Sequence, residues 1–289
     1  MGTRLTWADN NLAEDGHRIY RSESTMDPND MPTALGSTAA DVSVYDDGDS
    51  LVDGTTYYYR VGAYVGGVER ISDEISIVAS EVIIPVDGLR VFYTMDNISG
   101  SSLIDEEGNQ TGIISGAIAV SGKLGNALEF DGSNDLVNLG SGDNISAYTE
   151  ATISFWWKTS GGSGNYSSII GNLSSNSNGY AGFAFQVYNT TGIRFFGIGN
   201  DLSVDLTFAL DTWVHVVGVW DGSSIEIYKD SVSQQTRTLS TNNFNSSQDL
   251  LIGKLPYASL YAQGLVDHVR IYNRALDSSE VTQLYEELS

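Results

Sequence analysis

The chain has 289 residues, 37 of them acidic against 14 basic, for a formal net charge of −23. Such a surface repels phosphate backbones and anionic bilayers, so nucleic acid is not an expected partner. No apolar run approaches the roughly 20 residues of a membrane helix, so no membrane insertion is expected. Cysteine is absent, which excludes disulfides and zinc–thiolate centres.

Glycine, serine, threonine, asparagine and aspartate recur between short β-branched and aromatic runs, the pattern of an all-β chain. Arg4-Leu5-Thr6-Trp7 predicts a first strand and His17-Arg18-Ile19-Tyr20-Arg21-Ser22 a second. After the turn Asp53-Gly54 comes a long strand through Tyr57-Tyr58-Tyr59, and Gly66-Gly67 turns it into a hairpin. Short strands with frequent turns predict a small β-sandwich.

Leu5-Thr6-Trp7, the 17–22 strand and Gly54-Thr55-Thr56-Tyr57-Tyr58-Tyr59-Arg60-Val61 together resemble a fibronectin type III domain. That family carries a further edge strand ahead of the tryptophan strand, where only Met1 to Thr3 stand here. The resemblance implies a spacer or docking module. The segment has no Arg-Gly-Asp triplet and no cluster of catalytic residue types, and His17 reads as a packing residue. Pro85 and Gly88 punctuate a short junction, which divides the chain into domains 1–84 and 85–289.

Beyond the junction, strands are expected at 89–95, 127–130, 136–139, 151–158, 168–171, 182–188, 193–198, 213–220, 225–229, 250–252 and 264–276. So many short strands without intervening helices predict two large antiparallel sheets. The last strand alternates, with Val269 and Ile271 on one face and His268, Arg270 and Tyr272 on the other. Asp267 shares parity with Val269 and Ile271, so its carboxylate is expected on the apolar side, where it must be paired, hydrogen-bonded or bound to a cation. Asp277-Ser278-Ser279-Glu280 is a capping box, and it opens a short closing helix with Val281, Leu284 and Tyr285 at helical spacing.

Several blocks in this part resemble one family. Val91-Phe92-Tyr93-Thr94-Met95-Asp96 opens it, and Gly122-Lys123-Leu124-Gly125-Asn126-Ala127-Leu128-Glu129-Phe130-Asp131-Gly132 follows. Thr152-Ile153-Ser154-Phe155-Trp156-Trp157-Lys158, Trp213 with His215, Asp221-Gly222, and the closing 267–276 strand complete the set. Together they resemble the laminin-G-like jelly roll of the concanavalin A-like lectin/glucanase superfamily. The resemblance implies an all-β fold of a small sandwich plus a larger jelly roll ending in a short helix. It also implies one structural calcium on the convex side, held by Asp267 with Asp96 and a carbonyl near Gly132. Calcium suits such a site because it takes six to eight mixed oxygen ligands; Asn97 is an alternative member of that shell.

The superfamily hosts hydrolases as well as lectins. Glycoside hydrolysis needs two positioned carboxylates, and no Glu-x-Asp-x-Glu alternation exists here. Glu226 has no acidic partner two positions away, and Asp105-Glu106-Glu107 reads as a loop. The only histidines are His17, His215 and His268, with His215 read as structural. No catalysis is expected. Sugar binding needs aromatic platforms beside polar loops. Candidates are Tyr166, Tyr180, Tyr257 and Tyr261, each in or closing such a loop, and Trp157, which is a platform if exposed and a core enlargement if buried. The expected function is therefore non-catalytic recognition of a glycan or a host or cell-surface polysaccharide, with other virion or surface proteins as partners. The alternative is a purely structural module without ligand. The start at Met1 without a signal peptide leads us to expect a phage virion protein (tail fibre, baseplate or capsid decoration), with a secreted, extracellular bacterial origin as the competing location.

Overall fold

Alternating apolar and polar residues become strands along nearly the whole chain, and the only helix among the described residues is the closing one. The structure is a computed structural model that describes residues 3–8, 14–47, 51–52, 54–79, 84–141, 147–161, 166–176, 179–196, 203–239 and 246–288. It divides into two compact units, Met1–Ile83 and Ile84–Ser289.

In the first unit, Thr56–Val65 is the central strand of a five-stranded sheet. Gly16–Ser22 and then Gly36–Ala39 lie on one side of it, and Val68–Ile71 and Ile75–Val78 pair along its two halves. Thr3–Thr6 pairs with Val44–Asp47 in a second, two-stranded sheet. The tyrosine run splits by parity: Tyr57 and Tyr59 are buried with Leu5 and Ile19, while Tyr58 is only half-buried. The buried Asp47 carboxylate is satisfied by the Tyr59 hydroxyl at 2.7 Å and by Arg21 Nη1 at 2.7 and 3.0 Å. His17 is buried edge-on to Trp7, with ring centroids 5.2 Å apart, and serves as core.

The second unit is built from two large sheets. One, eight-stranded among the described residues, runs Ile118–Ser121, Asn126–Asp131, Gln263–Tyr272, Ala151–Lys158, Val214–Trp220, Ser224–Lys229, Val232–Thr238, with Leu89–Tyr93 also paired to Gln263–Tyr272. The other, eleven-stranded among the described residues, begins Ser203–Thr207, Gly192–Phe196, Ala184–Tyr188, Ser167–Gly171, Leu251–Ile252, Leu136–Asn138 and Gly112–Ser115, and carries the small hairpin Lys254–Leu255 and Ala258–Tyr261. Between the sheets lie Phe130, Phe155, Trp157, Phe183, Phe185, Phe195 and Trp220. Ala151–Lys158 and Val214–Trp220 are buried on both faces because the closing helix covers the outer one. There Val281 and Leu284 pack on Val217, Val219 and Tyr272.

The predicted orientation of Asp267 is corrected by a β-bulge. Ser154 pairs with Arg270, but Trp156 pairs with Asp267, so one extra residue sits in the Gln263–Tyr272 strand. His268 takes it up with φ 46°, in the left-handed region. Val266 and Val269 consequently both face the core although they are three positions apart. Asp267 shares the outer face with Trp156, not the inner face with Ile271.

Candidate functional site

On the strands of the eleven-stranded sheet, Phe185, Val187, Ile193 and Phe195 point into the core. Their alternates Gln186, Arg194 and Phe196 therefore face the other way, and register sets Gln186 opposite Arg194 and Phe196 opposite Ser203. These four line a groove of about 390 Å³, together with Tyr166 from the start of the neighbouring strand and Tyr257 and Leu260 from the small hairpin. That volume lies within the range of small-molecule sites.

Arg194 organises the groove. Its Nε and Nη2 donate to the buried Gln186 Oε1 at 3.3 and 2.8 Å. Its guanidinium carbon lies 4.8 Å from the Tyr166 ring centre and 4.3 Å from that of Phe196. Phe196 is anchored in an apolar cluster with Leu173, Ala184 and Leu255, and Leu260 packs against it. Tyr166, at φ 76°, has its amide bonded to the Val187 carbonyl at 3.0 Å, which presents its ring at the rim 48% exposed. Tyr257 is 42% exposed opposite. Aromatic faces, a hydroxyl, an amide and one cation thus converge on a single hollow. Among the described residues that line it there is no Asp, Glu or His.

Of the predicted ligand contacts, Tyr166 and Tyr257 meet here. Tyr261 lies on the same hairpin but outside the lining, with Lys254 Nζ 5.4 Å from its ring centre. Tyr180 pairs with Ser175 in a two-stranded ribbon, and its side chain lies outside what is described. Trp157 is corrected to core: it is fully buried, and its ring lies so close to the backbone of Gly264 that a Cβ there would sit 2.6 Å from it. Arg194, Gln186, Phe196, Ser203 and Leu260 escaped the sequence reading. The alternation of Ile193-Arg194-Phe195 was the only available signal, and it marks a direction without a neighbour.

The proposed calcium shell does not assemble. Asp267 Oδ2 accepts the Lys123 and Leu124 amides at 2.8 and 3.3 Å, and Oδ1 accepts His268 Nδ1 at 2.8 Å. Asp96 Oδ1 accepts the amide and side chain of Asn126 at 2.7 and 2.8 Å. The two acids therefore grip opposite ends of one turn, 122–126, and they meet N–H donors where a cation needs oxygens. A Cβ at Gly122 would sit 2.6 Å from Asp267 Oδ2, and one at Gly125, where φ is +60°, would run into the Asp96 carboxylate. Gly132 is elsewhere. Val266, the neighbour of Asp267, pairs with Leu128, four residues before Gly132 along the strand, or roughly 13 Å. Among the described residues no group of three or more His, Asp or Glu is placed to hold a metal.

The remaining candidate groups are structural. Asp105 accepts four backbone amides, from Phe92, Glu107, Asn109 and Gln110. Glu226 bonds Ser233. His215 is fully buried against Trp156 and bonded to Ser154 Oγ at 2.8 Å; burial first, then the Arg270 and His268 charges, push its pKa down to about 3, so it stays neutral.

The family model of the concanavalin A-like lectin/glucanase superfamily, in its laminin G form, matches residues 131–282, just over half the chain. The chain belongs to this superfamily. Its structural likenesses share the lectin/glucanase fold at low identity. Domain 4 of AbnA, an extracellular arabinanase from Geobacillus stearothermophilus solved with arabinotriose, is 20% identical with a TM-score of 0.54, over 68% of this chain and 98% of that one. The receptor-binding domain of botulinum neurotoxin C/D mosaic serotype is 17% identical with a TM-score of 0.56, over 69% and 51%. A Trypanosoma rangeli sialidase mutant displaying trans-sialidase activity is 15% identical with a TM-score of 0.59, over 85% and 47%. The chain thus spans about half the length of the toxin and sialidase structures. Comparison with curated protein sequences finds no match. Among the described residues no helix is long and apolar enough to cross a membrane.

Proposed function

We propose that this lectin/glucanase-fold protein is a non-catalytic recognition module that binds a glycan in the groove around Arg194. The observation that carries the reading is the convergence of Tyr166, Phe196 and Tyr257 on one hollow with Gln186, Arg194 and Ser203 as polar partners. Pyranose rings offer C–H faces to aromatic rings and hydroxyls to paired donors and acceptors, and this lining supplies both. The neighbour solved with arabinotriose and the toxin receptor-binding domains support recognition as a use of this fold. The described lining holds no carboxylate pair, which favours binding over hydrolysis, since glycosidases need two such groups flanking the bond.

The first unit reads as a fibronectin type III-like spacer. What supports this is its pairing of a two-stranded with a five-stranded sheet around Trp7, Ile19 and Tyr59. A virion or extracellular surface is the setting in which such a tandem meets a polysaccharide, and mass spectrometry of purified phage particles against culture supernatant separates the two. Binding itself is tested on a glycan array with the full chain and its Tyr257→Ala and Phe196→Ala variants. Hits that weaken at least tenfold in both variants support the groove; an array without hits turns the reading toward a structural module.

A further inference from the structure

We infer that the groove selects a carboxylate-bearing sugar, such as a uronic acid residue, over its neutral counterpart, with Arg194 as the selecting group; this rests on the recognition reading above. The chain carries a net charge of −23, and five of its arginines are neutralised where they stand. Arg18, Arg21, Arg60, Arg270 and Arg274 each pair with a carboxylate at 2.6 to 3.3 Å. Arg194 does not. Its hydrogen-bond partner is the neutral amide of Gln186. Asp205 occupies the register position opposite Arg194, yet no ion pair joins the two and Asp205 is not among the lining residues.

The geometry leaves the useful edge of the guanidinium free. Gln186 engages Nε and Nη2. Of the five N–H donors of an arginine, that leaves both on Nη1 and one on Nη2, the end-on fork that meets a carboxylate with two parallel bonds. Tyr166 and Phe196 flank the plane at 4.8 and 4.3 Å and hold it in one orientation. Ser203 lines the same groove and offers a hydroxyl to the sugar. A neutral sugar seated here would strip water from a cation and return no charge, which is a penalty against the neutral ligand. A carboxylate in the same place forms charge-assisted bonds, the strongest class available to the site.

The experiment is a glycan array of matched pairs differing only in a carboxylate (oligogalacturonides and their methyl esters, glucuronate-containing and glucose-containing oligosaccharides), probed with the full chain. The best acidic hit and its neutral match are then titrated calorimetrically. The acidic member is expected to bind at least about tenfold tighter, with the gap narrowing in 0.5 M salt. Arg194→Gln is expected to erase the difference between the acidic ligand and its neutral match. Arg194→Lys, which keeps the charge and loses the fork, is expected to retain part of it. The matched ligands need no variant, so a misfolded substitution does not spoil the comparison. Equal binding of matched pairs at a groove still lost in Phe196→Ala overturns acid selection and leaves recognition standing. An array without any hit overturns both.

Discussion

At the scale of single residues, the acids and histidines of the jelly roll are explained by what they hold. Asp267 is fully buried and takes two amides of the 122–126 turn and the His268 ring. Asp267→Ala strands those donors, which costs about 2–4 kcal/mol; urea unfolding measures it, and added calcium is expected to leave the loss unchanged. His215 supplies a pH dependence whose sign follows from its lowered pKa. The unfolded chain binds a proton below about 6.5 and the folded chain only near 3. Its contribution is therefore complete above pH 6.5 and is lost as pH falls toward 3, by on the order of a few kcal/mol. The urea midpoint of the parent protein is expected to fall more between pH 6.5 and 4 than that of His215→Gln, which does not titrate; parallel curves would contradict this.

At the scale of elements, the closing helix is the part most legible in the sequence. Asp277 accepts the amides of Ser279 and Glu280, Glu280 answers to the Asp277 amide, and Arg274 clamps Glu280 at 2.6 and 2.7 Å. Asp277→Ala is expected to cost about 1 kcal/mol in chemical unfolding. The strand before the helix was legible only in part. Its apolar content marked it as core, but alternation cannot reveal a bulge, because the extra residue exists only relative to the partner strand. In hindsight the spacing of Val266 and Val269 was the trace, since two inward valines three positions apart break a period of two. Trp157 was open for a similar reason. Adjacent tryptophans must face opposite ways, yet here both faces are covered, Trp156 lying under Tyr285 and Trp157 among Phe155 and Val266.

At the scale of the molecule, the fold was readable from motifs spread over the chain, because each records a local need: an apolar strand, a glycine under a carboxylate, a helix cap. The groove was not. It is assembled from Tyr166, Arg194 and Tyr257, which come from three separated segments and meet only through strand order and register. Tyrosines in polar loops could be suspected one at a time, whereas the central Arg194 sits inside an apolar run and becomes conspicuous only beside Gln186 and two rings. The acidic composition sharpens the same point, since an arginine bonded to a neutral amide is worth more to an anionic ligand where acids outnumber bases 37 to 14.

The central claim is that this groove is where the molecule binds. Hydrogen–deuterium exchange of the full chain, with and without the best array ligand at saturation, tests it most directly. The account predicts slowed exchange in Ala184–Tyr188, Gly192–Phe196, Ser203–Thr207 and the 254–261 hairpin. Slowed exchange confined to the 122–126 turn, the closing helix or residues 3–79, with these segments unchanged, would contradict it.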